Sequence, residues 1–78
     1  MEELIEFVAK SLVDEPDAVS AHMYNRGDQT IVELEVAQND LGKVIGRQGR
    51  TAAALRTLAS TAGEREGKTV TLEIRESR

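Results

Sequence analysis

The hydrophobic residues of this 78-residue chain keep a helical period up to Val13, change to alternation beyond Pro16, and alternate again near the end. Leu4, Val8 and Leu12 recur every four positions, and Ile5, Phe7, Ala9 and Val13 widen the apolar face. That spacing predicts a helix over Glu2–Val13, with Phe7 in the core. Glu2, Glu3 and Glu6 early and Lys10 late complement the helix dipole, and Pro16 stops the helix near Asp14. Val19, Ala21 and Met23 then alternate with Ser20, His22 and Tyr24, as a half-buried strand requires. Asn25-Arg26-Gly27-Asp28 supplies a turn into a second strand, about Gln29 to Ala37. In it Val32, Leu34 and Val36 face one way, while Glu33 and Glu35 face water. Asn39 or Asp40 is placed to cap a short helix over Leu41–Ile45. A long helix follows from near Gly49 to Ala62, with Leu55, Leu58 and Ala62 at three-four spacing and Gly63 as its stop. Val70, Leu72 and Ile74 mark a third strand.

The order α-β-β-α-α-β leaves no room for a second domain, an internal repeat or a linker. Three strands with one apolar face need cover, and three amphipathic helices supply it. The expected fold is an α/β (α+β) two-layer sandwich with a small core, as the chain length dictates. Without cysteine there are no disulfides and no thiolate metal sites. Met1 leads into acidic, amphipathic sequence rather than a signal peptide, and no apolar run approaches the roughly 20 residues that span a bilayer. A soluble, cytoplasmic protein with no membrane partner is expected.

Catalysis finds little support. His22, the single histidine, has no evident nucleophile partner, and an exposed strand position accounts for it. No metal-ligand spacing occurs; Glu33 and Glu35 read as a solvated strand face. Gly42, Gly46 and Gly49 do not fit the Walker pattern, and the dinucleotide fingerprint is missing. The chain reads as a non-enzyme with no cofactor and no metal.

The net charge of −4 argues at first against nucleic acid. Charge is segregated, however. From Leu41 to Gly63 there are four basic residues, Lys43, Arg47, Arg50 and Arg56, and no acid; the remainder has six basic and fourteen acidic residues. A segment of +4 thus sits in a remainder of −8, which tempers nonspecific adhesion. Arg56 does not fall beside Arg50 on a helical wheel and reads as solvated, as do Lys10, Arg75 and Arg78.

The cationic segment is centred on Val44-Ile45-Gly46-Arg47-Gln48-Gly49-Arg50. Two glycines three apart allow a sharp turn with accessible backbone. The helix that begins there offers unpaired N–H groups and a partial positive charge, a ready site for phosphate. Lys43, Arg47 and Arg50 surround that spot, and Arg47 and Gln48 take the tip. A bare helix corner without a ligand would need the glycines but not the cations.

This stretch resembles the GxxG signature of KH domains, which clamp about four nucleotides of single-stranded nucleic acid. From Gly42 through Thr51, and on into Ala54-Leu55-Arg56-Thr57-Leu58, it is similar to the KhpA family of small bacterial KH-domain RNA-binding proteins. The resemblance covers nearly the whole chain. It implies a type II KH domain over 1–78, with a three-stranded mixed sheet covered by three helices. Residues 1–28 hold the first helix and strand, and 29–76 hold the second strand, the GxxG helix-loop-helix and the last strand.

The resemblance also implies single-stranded RNA as partner, with single-stranded DNA in the same class, and an RNA-chaperone or post-transcriptional role. The implied contact set is Lys43, Val44, Ile45, Gly46, Arg47, Gln48, Gly49 and Arg50. Bases would turn into a shallow apolar groove drawn from Val44, Ile45, Ala52 and Leu34 or Val36. Ala52 stands where KH domains commonly carry a large aliphatic residue, which makes that groove shallow. Neither aromatic, Tyr24 or Phe7, lies near the loop, so stacking contributes little.

The competing reading is an assembly module. Ala52, Ala53, Ala54, Leu55, Leu58, Ala59 and Ala62 spread apolar surface over more than the one stripe a helix needs for its own core. The surplus suits a homodimer or a second protein. Family resemblance implies self-association and pairing with a larger KH protein of the KhpB, Jag or EloR type, with links to cell shape.

Overall fold

A computed structural model describes residues 1–77; Arg78, expected as a surface charge, lies outside the described residues. The order is α1 (Glu2–Leu12), β1 (Ser20–Arg26), β2 (Gln29–Val36), α2 (Leu41–Ile45), α3 (Arg50–Arg65) and β3 (Thr69–Glu76). This is the α-β-β-α-α-β order expected. The sheet order is β1-β2-β3, with β1 antiparallel and β3 parallel to the central β2. The sheet is therefore mixed, and α2, the glycine turn and α3 together form the crossover that a parallel pair demands.

The hairpin turns at Gly27, whose φ is +63°. On β2, Thr30, Val32, Leu34 and Val36 are all buried against the helices. Ile31 points to the other face and is buried too. Tyr24 and Thr71 are its register neighbours, and the Arg26 guanidinium lies 5.8 Å above the Tyr24 ring and donates to its hydroxyl at 3.0 Å. Ion pairs Arg75–Glu33 (3.1 Å) and Arg26–Glu73 (3.6 Å) cross the same open face. Of the two glutamates expected in solvent, Glu33 is thus tied to β3, and Glu35 accepts from the Ser20 hydroxyl of β1 at 3.4 Å.

Ile5 and Ala9 turn α1 onto the sheet, where they join Val19, Val32, Leu34, Val36, Val44, Leu55, Ala59 and Leu72 in one core. Phe7 is not part of it: 70% of its surface is exposed. With Ile5 and Ala9 inward, a residue two positions from each falls on the far side of the helix. Leu4 and Leu12 are likewise partly exposed, because the four-residue stripe they share with Val8 runs along the flank of α1, not its inner face. The helix ends at Leu12, one residue early, since Val13 is already extended.

Gly63 does not end α3. It is buried within the helix, where an added Cβ would overlap Val70 Cγ2 and come 3.1 Å from the Lys68 carbonyl oxygen. A glycine here lets α3 lie close on β3. The helix stops two residues later, with Gly67 at φ +72°. Lys68 N–H donates to Gly63 O at 2.8 Å and Gly67 N–H to Glu64 O at 3.1 Å, the paired bonds of a Schellman ending.

Candidate nucleic-acid interface

The turn between α2 and α3 is built by its backbone. Gly46 N–H donates to Gly42 O at 2.9 Å and closes α2, with Gly46 at φ +77°, ψ 172°. Gly49 N–H then returns to Gly46 O at 3.1 Å, and Arg50 N–H to Arg47 O. Gln48 and Gly49 both sit in the left-handed region, at φ +56° and +71°. Among the described residues Gln48 is the only non-glycine at positive φ. Such a residue costs roughly 1 kcal/mol. The conformation holds Arg47 and Gln48 out into solvent.

The two glycines serve different ends. A Cβ on Gly46 would overlap Thr51 Oγ1, lie 2.7 Å from Thr51 Cβ and 3.0 Å from Thr51 N. One on Gly49 would meet nothing within 4 Å. Gly46 therefore seats the turn against the first residues of α3, whereas Gly49 supplies only its left-handed backbone. The start of α3 has no side-chain cap. Arg50 Nη2 donates to Gln48 Oε1 at 2.9 Å, which leaves the Gln48 amide NH2 facing outward.

Lys43 departs from expectation. Its ammonium is bonded to the Asp14 carboxylate and lies 3.8 Å from Asp40 Oδ1. The bond to Asp14, more than the field of the two acids, holds its pKa above the ordinary lysine value against the effect of desolvation. It is not a free cation beside the turn. Asp40, expected as a helix cap, makes no cap bond. Only 1% exposed, it accepts instead from Asp14 N–H at 3.1 Å and Glu15 N–H at 3.0 Å. The segment after α1 is thereby fastened to the start of α2.

A family model described as KhpA/KhpB, KH domain, matches residues 2–74. The chain belongs to this KH-domain family. It is 50% identical over 74 residues to the RNA-binding protein KhpA of Caldanaerobacter subterraneus, a match covering 95% of this chain and 99% of that one. KhpA of Clostridium perfringens is 47% identical over the same length and the same shares. Among solved structures, Era in complex with MgGDPNP and nucleotides 1506–1542 of 16S ribosomal RNA superposes with a TM-score of 0.63 at 18% identity. That match covers 96% of this chain but 29% of Era, and it shows a shared KH fold.

Within this KH fold the eight expected contact residues separate. Gly46, Arg47, Gln48, Gly49 and Arg50 form the turn, and Ile45 is 42% exposed beside it. Val44 is fully buried core, so of the apolar pair only Ile45 is available. Leu34 and Val36 are also fully buried and line no groove: both belong to the central strand, beneath the helices. Ala52 is buried as well. The apolar hollow that does exist lies between α1 and α3. It is an open groove of about 360 Å³ lined by Val8, Leu12, Arg50, Thr51, Ala54 and Leu58 among others. Its signal in the sequence was the Leu4-Val8-Leu12 stripe, which resembles a core face but runs beside one.

Among the described residues no group of three or more His, Asp or Glu side chains converges as a metal site, and no helix is long and apolar enough to cross a membrane.

Proposed function

We propose that this chain binds single-stranded RNA at the Gly46–Gly49 turn. The observation that carries the reading is the combination at that turn: a glycine with no room for a side chain, seated on an uncapped helix start, and Arg47 and Gln48 held outward at a conformational cost. Arg47 and Arg50 enter no ion pair among the described residues and so serve as phosphate partners. Backbone N–H groups and the Gln48 amide complete the grip, and Ile45 offers an apolar contact. The curated relatives named RNA-binding protein KhpA support RNA as the ligand. The role is that of a cytoplasmic RNA chaperone or post-transcriptional regulator, a binding protein rather than an enzyme.

Competition between single-stranded RNA, single-stranded DNA and duplex RNA at several salt concentrations tests this. Single-stranded RNA is expected to compete best, with log affinity falling against log salt at a slope of about −1.4 for two neutralised phosphates. A preference for duplex, or a flat salt response, defeats the reading.

The α1–α3 hollow supports a second activity, self-association. Phe7, Leu4 and Leu12 are exposed apolar residues on α1, and Leu58 lines the hollow opposite. Burial of this surface against a second copy, or against a larger KhpB-like KH protein, would also bring two turns into one assembly and raise effective affinity. Leu58→Glu is expected to convert a dimer at tens of micromolar to a monomer that keeps a folded circular-dichroism spectrum but melts at lower temperature, because Leu58 also packs against the core. A wild-type monomer under those conditions removes this part of the proposal.

A further inference from the structure

The acidic residue that contacts Lys43 comes from outside the glycine-turn unit. Asp14 follows α1 and lies far from the turn in sequence, yet its carboxylate reaches the lysine one helical turn before Gly46. The two acids around Lys43 differ in freedom. Asp40 is buried, with both carboxylate oxygens committed to the backbone N–H groups of Asp14 and Glu15. Asp14 has 77% of its side chain exposed, and Lys43 has 45%. Asp40 thus fixes the backbone of Asp14, while the Asp14 carboxylate is held only by an exposed ion pair. A pair of this kind shifts an equilibrium by no more than about fivefold.

From this arrangement, and resting on the RNA-binding reading above, we infer that Asp14 sets RNA affinity by keeping Lys43 out of the phosphate-binding group. Phosphate arriving at the turn meets Arg47 and Arg50 directly. It recruits Lys43 only by displacing a carboxylate whose backbone is tethered within reach. The protein therefore binds as a two-cation site with a third cation in reserve, and its affinity rests below what its basic residues allow. Asp14 acts through Lys43 and touches no nucleotide, so it is a positioning residue.

The test uses the full chain and a fluorescently labelled single-stranded oligouridine, with anisotropy read across a salt series. Asp14→Asn and Asp14→Ser both retain the backbone N–H that donates to Asp40, so their melting temperatures should fall by no more than about 8 °C, the loss of one exposed ion pair. Serine guards against an asparagine oxygen that keeps hold of Lys43. Each is expected to tighten binding about two- to fivefold at low salt. The slope of log affinity against log salt should steepen by about 0.7, as one further phosphate is neutralised. Lys43→Met alone should change wild-type affinity less than twofold, and combined with either Asp14 variant it should abolish the gain. An equal gain in the Lys43→Met background would mean that Asp14 acts as a general repulsive charge, and the inference falls. Unchanged affinity and slope in both Asp14 variants overturn it too, while RNA binding by the wild type would leave the turn reading intact. Failure of every form to bind oligouridine or mixed-sequence RNA overturns both.

Discussion

Replacing Arg47 and Gln48 together by aspartate is expected to weaken single-stranded RNA binding by about a hundredfold or more and to leave the fold in place. A charge-assisted bond to phosphate contributes about 1.5–3 kcal/mol, and a new anion near the same phosphate adds about 1 kcal/mol of repulsion at short range in water. Each 1.4 kcal/mol is tenfold in affinity, so the combined effect is about two to three decades. Stability should change little, because both side chains are exposed and neither enters the core. Aspartate also tolerates the left-handed backbone that Gln48 adopts at φ +56°. Arg50 loses the Gln48 oxygen but gains a carboxylate in its place. The measurement is anisotropy with labelled RNA beside circular-dichroism melting; affinity retained at modest salt would transfer the function to the α1–α3 hollow.

Gly46→Ala should be the most damaging single methyl in the turn. The Gly46 backbone, at φ +77°, ψ 172°, lies in a region essentially confined to glycine that costs an alanine about 1–3 kcal/mol, and overlap with Thr51 adds an overpacking cost of about 1–3 kcal/mol. The expected loss is about 2–6 kcal/mol in urea unfolding, with weaker RNA binding in the fraction that folds, since the turn and the start of α3 must separate. Gly49→Ala bears the backbone cost alone and should lose about 1–2 kcal/mol, because its Cβ points into open space. Equal losses at the two positions would show that steric seating against Thr51 is not what selects Gly46.

The parts of the molecule that were legible in the sequence are those where one local rule decides. Alternation placed the three strands, and paired glycines placed the turn to the residue. The differences share a cause: periodicity marks an apolar face but not the neighbour that covers it. Leu4, Val8 and Leu12 have the better period, yet Ile5 and Ala9 meet the sheet, and Phe7 was carried outward with that rotation. Gly63 has the composition of a stop signal, and only the approach of Val70 reveals why a helix needs it. Leu34 and Val36 alternate as residues of a half-open strand do, and only the place of β2 at the centre of the sheet, beneath the helices, shows that they are buried. At the site, the turn was readable, but the capture of Lys43 by Asp14 was not. That contact spans 29 positions and depends on Asp40 fastening the intervening chain.

The parallel pairing of β2 with β3 has a bearing on biosynthesis. Gln29 is partnered with Thr69, so the central strand must wait some forty residues for its second neighbour. A helix and a hairpin emerging first have too little buried apolar surface to persist by themselves. As the ribosome extrudes this chain, order should arrive late and in one cooperative step, when the segment from Thr69 to Glu76 clears the tunnel.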